Sequence, residues 1–490
     1  MTSTSIAESF LRTCRRSPDA PFLVGGDGQV MTYAEVRARA RGVAAALGAA
    51  GVRANDRVVL SMPSGTDMLC DYLGALLHGC VVAVVDHRAS PAHLQFVHRD
   101  VRASAWLAWA GHPAAGLLPG RLEVPQAGQD GPPAWLEGHT IDGPGDALVM
   151  YTSGTTGTPK GVRLTHENLR HTAASIETWA AVRADEVELT TLPLSHLFGL
   201  GHVHVHWSLG GTVVIEPGLQ DIPRVLQRMA EHRVTSFPGT PAGFRRIMDD
   251  HPDEFRAAAV TLRYIVVNSA PMPEEDVRRL LDLVPHVRCY MYYGLTEASR
   301  SAVIHYNAHP DKIRTVGRAA PGTEVRVGTP ERALVGEPGE ILVRGGNVAS
   351  SYWGRADSTE HVADGWFRTG DLGIVDADGF LTWIGRLSEQ INVDGLKVAP
   401  AEVEAVLRAH PDVTDCAVAG APDPLTGQCV VAFVVPRRPA EDRLGLEIRR
   451  HCRGRLESYK IPRRVEFVPT IPRTDTGKVK RRTLVGPDRG

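Results

Sequence analysis

The sequence predicts an α/β protein with a large N-terminal domain and a small C-terminal domain, on the strength of three observations. The chain has 490 residues, which is too long for one ordinary hydrophobic core. Helical and strand-like patterns alternate through most of it, as they do in layered folds around a mainly parallel sheet. Between residues 313 and 385, short strands and turns replace this alternation and indicate a β-rich subdomain.

The first helices and strands are predicted from the spacing of apolar residues and from glycines that end helices. The segment "TYAEVRARARGVAAALGAAGV" has helical periodicity and stops at Gly51, and "DRVVLSM" predicts a short buried strand. "DMLCDYLGALLHGC" predicts a helix, and "VVAVVD" predicts the next strand. Residues 111–146 are rich in Pro and Gly and are predicted as a connecting loop.

Alternation resumes after this loop. "TVVIEP", "TSFPGTP" and "LRYIVVNSAPMP" predict strands, and "DIPRVLQRMAEHRV" predicts a helix. A smaller α/β unit follows Arg386. It contains a helix with Pro400 near its start, strands at "VTDCAVAGAPD" and "CVVAFVVP", and a helix at "LGLEIRRHCRGRLES".

Composition narrows the class of protein. Net charge is −2, with 43% hydrophobic and 22% charged residues, which is typical of a globular protein without a field that attracts nucleic acid. The seven cysteines are odd in number and contain no Cys-x-x-Cys pair, so a disulfide framework is not expected and a reducing cytosol fits best. No apolar run has the length of a signal peptide core or a membrane span, and a cytoplasmic protein without an integral membrane segment is predicted.

The run "YTSGTTGTPKGV" predicts a phosphate-binding loop. Its glycines allow sharp bends and close backbone approach, its hydroxyls donate hydrogen bonds, and Lys160 adds a positive charge. The apolar "ALVM" before it predicts a buried strand that leads into the loop. The spacing is not that of a Walker A motif, because Pro159 precedes the lysine and Gly161 follows it. Nucleotide binding outside the usual P-loop fold is therefore expected.

Four further segments carry residues suited to the same chemistry. In "MYYGLTEAS", Tyr293 can stack on a base and Glu297 can hold a hard cation such as Mg²⁺. "RTGDLG" is predicted to place Asp371 in a glycine-flanked turn that can accept ribose hydroxyls. "GRLSEQINVDGLKVAPAEVE" contains Arg386, and "PRTDTGKVKRR" places Lys478 in a Gly/Thr turn.

Together with "PLSHLFGL", these segments make the chain resemble the adenylate-forming superfamily, which includes acyl- and aryl-CoA ligases, luciferases and the adenylation domains of peptide synthetases. The resemblance covers nearly the whole chain. It implies an AMP-binding domain over residues 1–387 and a mobile α+β domain over residues 388–490. It also implies two half-reactions. A carboxylate attacks the α-phosphate of ATP, which gives an acyl-adenylate and releases pyrophosphate, and a nucleophile, usually a thiol, then displaces AMP.

The resemblance assigns a role to each matched residue. Lys478 would bridge the carboxylate and the α-phosphate, and Arg386 would lie close to ribose and phosphate. Positive charge and Mg²⁺ offset the repulsion between the two anions, and proximity supplies much of the remaining rate. The assigned residues are Lys478, His196 and Thr296 for catalysis; Thr152, Ser153, Gly154, Thr155, Thr156, Gly157, Lys160, Ser269, Ala270, Pro271, Tyr293, Gly294, Asp371, Arg386, Gly395 and Lys397 for ATP and CoA; and Glu297 for Mg²⁺.

The small domain is expected to rotate between the half-reactions about a hinge just after Arg386. Lys478 would then serve the first step, and the loop at Gly395 would serve the second. Family members usually carry Asp or Lys at the hinge, where this chain has Ser388. This difference leaves the pivot residue open.

The acid pocket is expected around "PLSHLFGL" and the helix after it. His202 and His206 are four residues apart on that helix, but polar or pocket-lining histidines are predicted rather than zinc ligands, because no carboxylate or Cys is expected nearby to complete a site. The segment also lacks the acidic residue that would pair with a substrate ammonium, so α-amino acids are disfavoured. An aryl, heteroaryl or short-to-medium acyl acid is predicted, and Asn268 is expected to narrow the pocket floor or offer it an amide.

The acceptor stays open at this stage. CoA is the first expectation for a stand-alone chain of this length, and a carrier-protein phosphopantetheine would use the same tunnel. An amine acceptor, giving an amide, is a third possibility. A non-catalytic nucleotide binder is disfavoured, because Lys478, Glu297 and the phosphate loop are all intact.

Overall fold

Apolar strands separated by helices build two large sheets, as the alternating pattern predicts. In the computed structural model, the described residues are 5–109, 111–114, 116, 120–122, 145–152, 159–354, 362–363, 365–439, 443–473 and 479–485. Helices α1 to α13 are, in order, Ile6–Arg16, Tyr33–Ala49, Thr66–Leu77, Pro91–Asp100, His166–Ala180, Leu197–Leu209, Ile222–Glu231, Pro241–Asp250, Pro252–Ala258, Glu274–Leu283, Pro400–Arg408, Leu444–Cys452 and Arg481–Leu484.

The longest strands, of ten or eleven residues, lie in the last third of the chain. Strands β1 to β26 are, in order, Pro21–Val24, Val30–Thr32, Arg57–Ser61, Val81–Val84, Ala105–Ala108, Arg121–Leu122, Asp146–Thr152, Lys160–Thr165, Val187–Thr190, Thr212–Ile215, Ser236–Gly239, Tyr264–Val267, Arg288–Tyr293, Ala302–His305, Arg318–Ala319, Thr323–Val327, Gly339–Gly345, Ser351–Tyr352, Val362–Ala363, Trp366–Val375, Leu381–Arg386, Ile391–Val393, Leu396–Val398, Val413–Asp423, Gly427–Pro436 and Arg464–Phe467.

The two large sheets are mainly parallel. One has the order β15-β14-β13-β12-β11-β9-β10-β1-β2, and every pairing from β13 through β1 is parallel. The other has the order β18-β8-β7-β4-β3-β5-β6, and every pairing from β7 through β6 is parallel. All four residues of β4, "VVAV", are buried, as expected for a strand covered by helices on both faces. The predicted α/β class is confirmed.

Helices α2 and α3 show how local sequence sets this packing. A capping box between Thr32 and Glu35 starts α2, and Gly51, with φ of +79°, follows its end as predicted. The two helices approach closely at Gly74, where a β-carbon would lie 2.5 Å from Val43 Cβ. Helices α3 and α6 differ from α2, because residues 68–77 and residues 199–207 are buried on every side.

The β-rich segment and the smaller unit are also present. Strands β15 to β21 occupy residues 318–386, and a third sheet has the order β16-β17-β20-β19 with β21 beside β20. A fourth sheet has the order β23-β22-β25-β24, and β26 pairs with β25 in parallel. Residues of α11 and α12, including Val403, Leu407 and Ile448, share one apolar core with Val418 and Val430 of this sheet.

The chain divides into two compact units. One comprises residues 1–268, 272–325 and 343–367, and the other comprises residues 269–271, 326–342 and 368–490. The boundary at residue 387 stays a prediction. Most of the predicted loop over 111–146 lies outside the described residues, and the described part contains β6. Among the described residues, no helix is long and apolar enough to cross a membrane.

Candidate active site

The phosphate-loop motif connects two antiparallel strands. Residues 147–150 of β7 are buried, which confirms the predicted buried strand before the loop. Thr152 ends β7 and pairs with Lys160, the first residue of β8. The two strands therefore fix both ends of the motif. Five predicted phosphate-binding residues lie outside the described residues, namely Ser153, Gly154, Thr155, Thr156 and Gly157.

Gly161 is required for close packing at the start of β8. A β-carbon there would lie 2.9 Å from Val149 Cγ1 and 3.2 Å from Trp353 Cβ, closer than side-chain carbons tolerate. The backbone N–H of Trp353 donates to the Gly161 carbonyl at 2.7 Å. The glycine therefore lets the segment around Trp353 close against the start of β8.

Tyr352 brings two predicted motifs together. The Nζ of Lys160 lies 5.2 Å from the centre of the Tyr352 ring, within the range of a cation–π contact. The Tyr352 hydroxyl donates to Oε1 of Glu297 at 3.2 Å. The Ala349 N–H donates to the Glu297 carbonyl at 2.8 Å, which holds the backbone of the turn as well. A positive charge from the phosphate motif and a carboxylate from the "GLTE" motif thus contact the same tyrosine, one at its ring and one at its hydroxyl.

The "YYGLTE" segment forms a tight turn after β13. Tyr293 ends the strand and is buried, whereas Thr296 and Glu297 are partly exposed. Gly294 is required sterically, because a β-carbon there would overlap the backbone nitrogen of Arg300. The turn therefore places the hydroxyl-bearing and carboxylate-bearing residues at its tip.

The "VNSAPMP" segment follows β12. The side-chain amide of Asn268 donates to the Tyr292 carbonyl at 2.6 Å, so it joins neighbouring strand ends as well as occupying the predicted pocket segment. Ser269 has a φ of +88°, a backbone conformation that residues other than glycine seldom adopt. Ala270 is partly exposed and Pro271 is exposed. This backbone conformation is unfavourable for Ser269 by itself, so contacts with neighbouring residues must hold the segment in place.

Asp371 and Arg386 form an ion pair, but the predicted turn is wrong. Asp371 lies inside the ten-residue strand β20 and pairs in register with Arg386 of β21. The Arg386 Nε lies 2.8 Å from Asp371 Oδ1, and its Nη1 donates to the Thr369 carbonyl at 3.2 Å. The glycines mark a local irregularity, since Gly370 has a φ of +69° and the register shifts at Gly373. The strand continues through this bulge.

His196 immediately precedes α6 and is partly exposed. Its neighbour Ser195 donates to Asp86 Oδ2 at 3.2 Å. Partial burial raises the pKa of Asp86, but hydrogen bonds from Arg88 outweigh this effect and lower it to about 2. An ionised carboxylate therefore anchors the residue beside His196, and the sequence analysis did not identify it.

A buried carboxylate lies between two of the α6 histidines. His202 Nδ1 and His206 Nε2 lie 2.9 Å and 3.1 Å from the same oxygen of Glu188. Burial raises the pKa of Glu188, but the two imidazoles hold it below its ordinary value. The expectation that no carboxylate lies nearby is wrong, because β9 brings in a residue 14 positions before His202. The described residues contain no group of three or more His, Cys, Asp or Glu arranged to hold a metal.

Arg300 is a further residue that sequence reasoning missed. It is 1% exposed, its Nη1 donates to Ser299 Oγ at 2.7 Å, and its Nη2 donates to the Phe198 carbonyl at 3.2 Å. Its guanidinium lies 5.0 Å from the centre of the Tyr292 ring, and burial lowers its pKa. Gly201 makes room for it, since a β-carbon there would lie 2.7 Å from Nη2. The only sign of this buried arginine in the sequence is its position as the single basic residue among the small residues of "EASRS".

The remaining predicted residues belong to the second unit. Gly395, with a φ of +82°, and Asp394, with a φ of +50°, form the two-residue connection between β22 and β23. Lys397 follows on β23 and is exposed. Lys478 lies outside the described residues.

Comparisons with known proteins give the family. Family models match residues 10–353 as an AMP-binding enzyme and residues 402–478 as an AMP-binding enzyme C-terminal domain. The feruloyl-CoA synthase of an Amycolatopsis species is 36% identical over 481 residues, which cover 96% of each chain. A long-chain fatty-acid–CoA ligase of Mycobacterium tuberculosis is 31% identical over 474 residues, covering 93% of this chain and 92% of the relative.

A solved structure gives the same result. The o-succinylbenzoate CoA synthetase from Bacillus subtilis, in complex with its acyl-adenylate intermediate, is similar with a TM-score of 0.87 and 25% identity, covering 98% of each chain. The same enzyme in complex with ATP and a magnesium ion gives a TM-score of 0.86 and 26% identity, covering 96% of this chain and 98% of that one. The chain therefore belongs to the AMP-binding, adenylate-forming enzymes, as an AMP-forming acyl- or aryl-CoA ligase.

Proposed function

We propose that this ligase activates a carboxylic acid without an α-amino group, of the aryl, heteroaryl or short-to-medium acyl class, and transfers it to CoA. The observation that carries the proposal is that Lys160 and Glu297 both contact Tyr352, Lys160 at the ring and Glu297 at the hydroxyl. A cation and an oriented carboxylate, next to a hydroxyl-rich loop, suit a metal-bound triphosphate. Ferulic acid is the first acid to test, since a feruloyl-CoA synthase is among the relatives.

The residue roles follow from this placement. Lys160 and Thr152 flank the loop that would hold the β- and γ-phosphates of ATP. Glu297 would bind the Mg²⁺ that accompanies ATP, and Mg²⁺ commonly takes one or two protein carboxylates together with substrate phosphates. The Tyr352 hydroxyl fixes one carboxylate oxygen and so orients the group. Bound Mg²⁺ supplies charge neutralisation at the phosphates.

The nucleoside part of ATP has a separate set of candidates. Tyr293 and Ser269-Ala270-Pro271 would contact adenine, and Asp371 would accept the ribose hydroxyls. Arg386 holds the Asp371 carboxylate in place through the 2.8 Å ion pair. Lys478 would neutralise charge where the acid meets the α-phosphate, with Thr296 and His196 beside the reacting groups.

The surroundings of α6 support an acid without an ammonium group. Glu188 is a carboxylate of this region, but it is 0% exposed and two imidazoles share its Oε2. A substrate ammonium would need a carboxylate partner that it can reach. The guanidinium of Arg300 next to the same helix would repel a second cation.

A thiol acceptor is favoured over an amine. A partly ionised thiol attacks an activated carbonyl readily near neutral pH, whereas an amine needs a base to remove its proton. His196 is the candidate base in the pocket segment. Carrier-protein phosphopantetheine and amines are the alternative acceptors to be tested against CoA.

The seven cysteines are all free and buried, which supports a reducing compartment, and we infer a cytoplasmic location.

The test is ATP–pyrophosphate exchange over a panel of ferulic, benzoic, anthranilic, fatty and α-amino acids. The best acid is then offered CoA, a carrier protein bearing phosphopantetheine and simple amines together, and the products are identified by mass spectrometry. We expect an acid without an α-amino group to exchange fastest and CoA to give the main product. An amino acid as best substrate, or amide formation that outpaces thioester formation, would contradict the proposal.

A further inference from the structure

Two contacts fix the chain on either side of residues 474–478. Arg473 and Val479 form an antiparallel bridge, and the Lys480 N–H donates to the Pro472 carbonyl at 2.8 Å. The Arg473 Nη2 donates to both oxygens of Asp415, at 2.9 Å and 2.8 Å. The described residues on the two sides of Lys478 are therefore held to each other, and Arg473 is also held to β24.

Arg481, three residues after Lys478, uses all three of its guanidinium nitrogens. Its Nε donates to the Val418 carbonyl at 3.0 Å, its Nη1 to Glu389 at 2.8 Å and its Nη2 to Glu404 at 2.6 Å. Glu404 is 3% exposed and also accepts the Val418 N–H at 2.9 Å and Nη2 of Arg408 at 3.1 Å. A bond to such a buried and fixed carboxylate is stronger than an exposed ion pair.

The bond from Arg481 to Glu389 links the end of the chain to the turn at Ser388. Glu389 ends the one-turn helix Leu387–Glu389, which follows β21 and contains Ser388. One guanidinium thus joins three places in the second unit, which are the buried core at Glu404, the edge of β24 and the turn that contains the expected pivot. Lysine could not reproduce this arrangement, because its ammonium is a single point rather than a planar fork.

We propose that Arg481 is a positioning residue, which holds the tail carrying Lys478 in a fixed relation to the turn at Ser388. This inference rests on the proposed function, because it assigns Lys478 to the adenylation step. A catalytic lysine three residues away would lose its placement when Arg481 is replaced, and small displacements of reacting groups lower rates steeply. The thiol-transfer step, which does not use Lys478, should be spared.

The test compares Arg481→Gln, Arg481→Lys and Glu389→Gln in the full chain. Each variant is assayed for pyrophosphate exchange with the best acid of the panel and for thioester formation from the supplied acyl-adenylate and CoA. We expect Arg481→Gln to lower exchange by roughly 10- to 100-fold and thioester formation by less than about twofold. Arg481→Lys should recover little of the loss, and Glu389→Gln should show a smaller loss in exchange alone.

Arg463→Gln is the matched control, because it removes an exposed ion pair with Asp423 in the same unit and leaves the tail contacts intact. Hydrogen exchange measured by mass spectrometry adds a readout that requires no reaction. Amides of residues 471–485 should exchange faster in Arg481→Gln, while those of β24 and β25 should not change.

Equal losses in both half-reactions, or unchanged exchange over residues 471–485, would overturn the assignment. If the arginine variants misfold, Glu389→Gln still tests the proposal, because Glu389 lies outside the buried core and its replacement should leave the fold intact. If Lys478→Ala itself impairs both half-reactions equally, the proposed division of labour fails instead, and hydrogen exchange still decides whether Arg481 anchors the tail.

Discussion

Tyr352 shows how a residue outside the recognised motifs can contact two of them. It lies on the two-residue strand β18, which pairs with β8 and so stands next to the phosphate-motif lysine. Its hydroxyl reaches the Glu297 carboxylate at 3.2 Å. From the sequence alone, an aromatic residue in "SSYWGR" is expected to pack in the core. The pairing of β18 with β8 is what places it beside Lys160.

The metal site gives the first prediction. Glu297→Gln should raise the Mg²⁺ concentration needed for half-maximal pyrophosphate exchange, because a neutral amide is a poorer ligand for a hard cation. Tyr352→Phe should raise it by a smaller factor, roughly tenfold at most, because it removes one hydrogen bond to a charged group. The measurement is a MgCl₂ titration at saturating ATP.

The control for the tyrosine variant is Tyr306→Phe, which removes a buried hydroxyl that contacts Met291 Sδ at 2.8 Å. Its Mg²⁺ dependence should match that of the unaltered protein. If Glu297→Gln also leaves the Mg²⁺ dependence unchanged, Glu297 is a structural residue of the turn and not a metal ligand.

Glu188 gives the second prediction. Glu188→Gln should destabilise the protein by about 1–3 kcal/mol, because a buried N–H of His202 or His206 would lose its charged acceptor. Urea unfolding measures the change, and Glu274→Gln, an exposed pair with Arg278, should change stability little. Stoichiometric zinc in the purified protein would contradict the assignment of the two histidines as hydrogen-bond donors alone.

At this scale, sequence reasoning identified candidate residues by their chemical type and missed residues whose contacts depend on distant neighbours. Asp371 and Arg386 were both named as candidates, and the structure pairs them. Glu188 and Arg300 were not, because each reaches its partners from another element.

Among the elements, α3 illustrates burial of a titratable group within a helix. Asp71 is 5% exposed, and burial raises its pKa from an ordinary 3.8 to about 7, although Arg39 of α2 partly offsets this. Since the folded protein holds the proton more tightly than the unfolded chain, the stabilisation is complete below about pH 4. It is lost as the pH rises to about 7.

Asp71→Asn should therefore remove one pH-dependent contribution to folding. The variant should be more stable than the unaltered protein at pH 8, by on the order of 3 kcal/mol, and the difference should shrink toward pH 4. Urea unfolding at a series of pH values measures it, and the histidine contributions cancel because they are common to both proteins. Parallel stability profiles would show that Asp71 titrates in its ordinary range.

Elements were predicted well where periodicity is strong. Helix α2 ends before Gly51, and β24 covers the predicted "VTDCAVAGAPD" from end to end. The turn at Asp371 was wrong, because glycines inside a strand can produce a bulge without ending it. Close approach of α2 and α3 at Gly74 was not predicted either, since it depends on which helices become neighbours.

For the whole molecule, the family could be predicted from six motifs that occur in a fixed order, because each motif carries residues suited to a different part of the same reaction. The α/β class and the smaller unit also followed from patterning alone. The division between the two units did not, since residues 269–271 and 326–342 cluster with the C-terminal part although they are remote from it in sequence. Contacts between distant segments decide such a division, and a linear pattern does not record them.

The last prediction concerns the division of labour between the two half-reactions. Lys478 acts, in the proposed mechanism, only where the carboxylate meets the α-phosphate. Lys478→Ala should therefore lower pyrophosphate exchange by roughly 100- to 1000-fold, the usual effect of losing one preorganised electrostatic contact. Transfer from a supplied acyl-adenylate to CoA should change far less, because the adenylate is already formed. Lys397→Ala is the informative counterpart, since this exposed residue follows the turn at Gly395 that is expected to serve the thiol. It should impair thioester formation more than exchange, and equal losses in both assays for Lys478→Ala would refute the division.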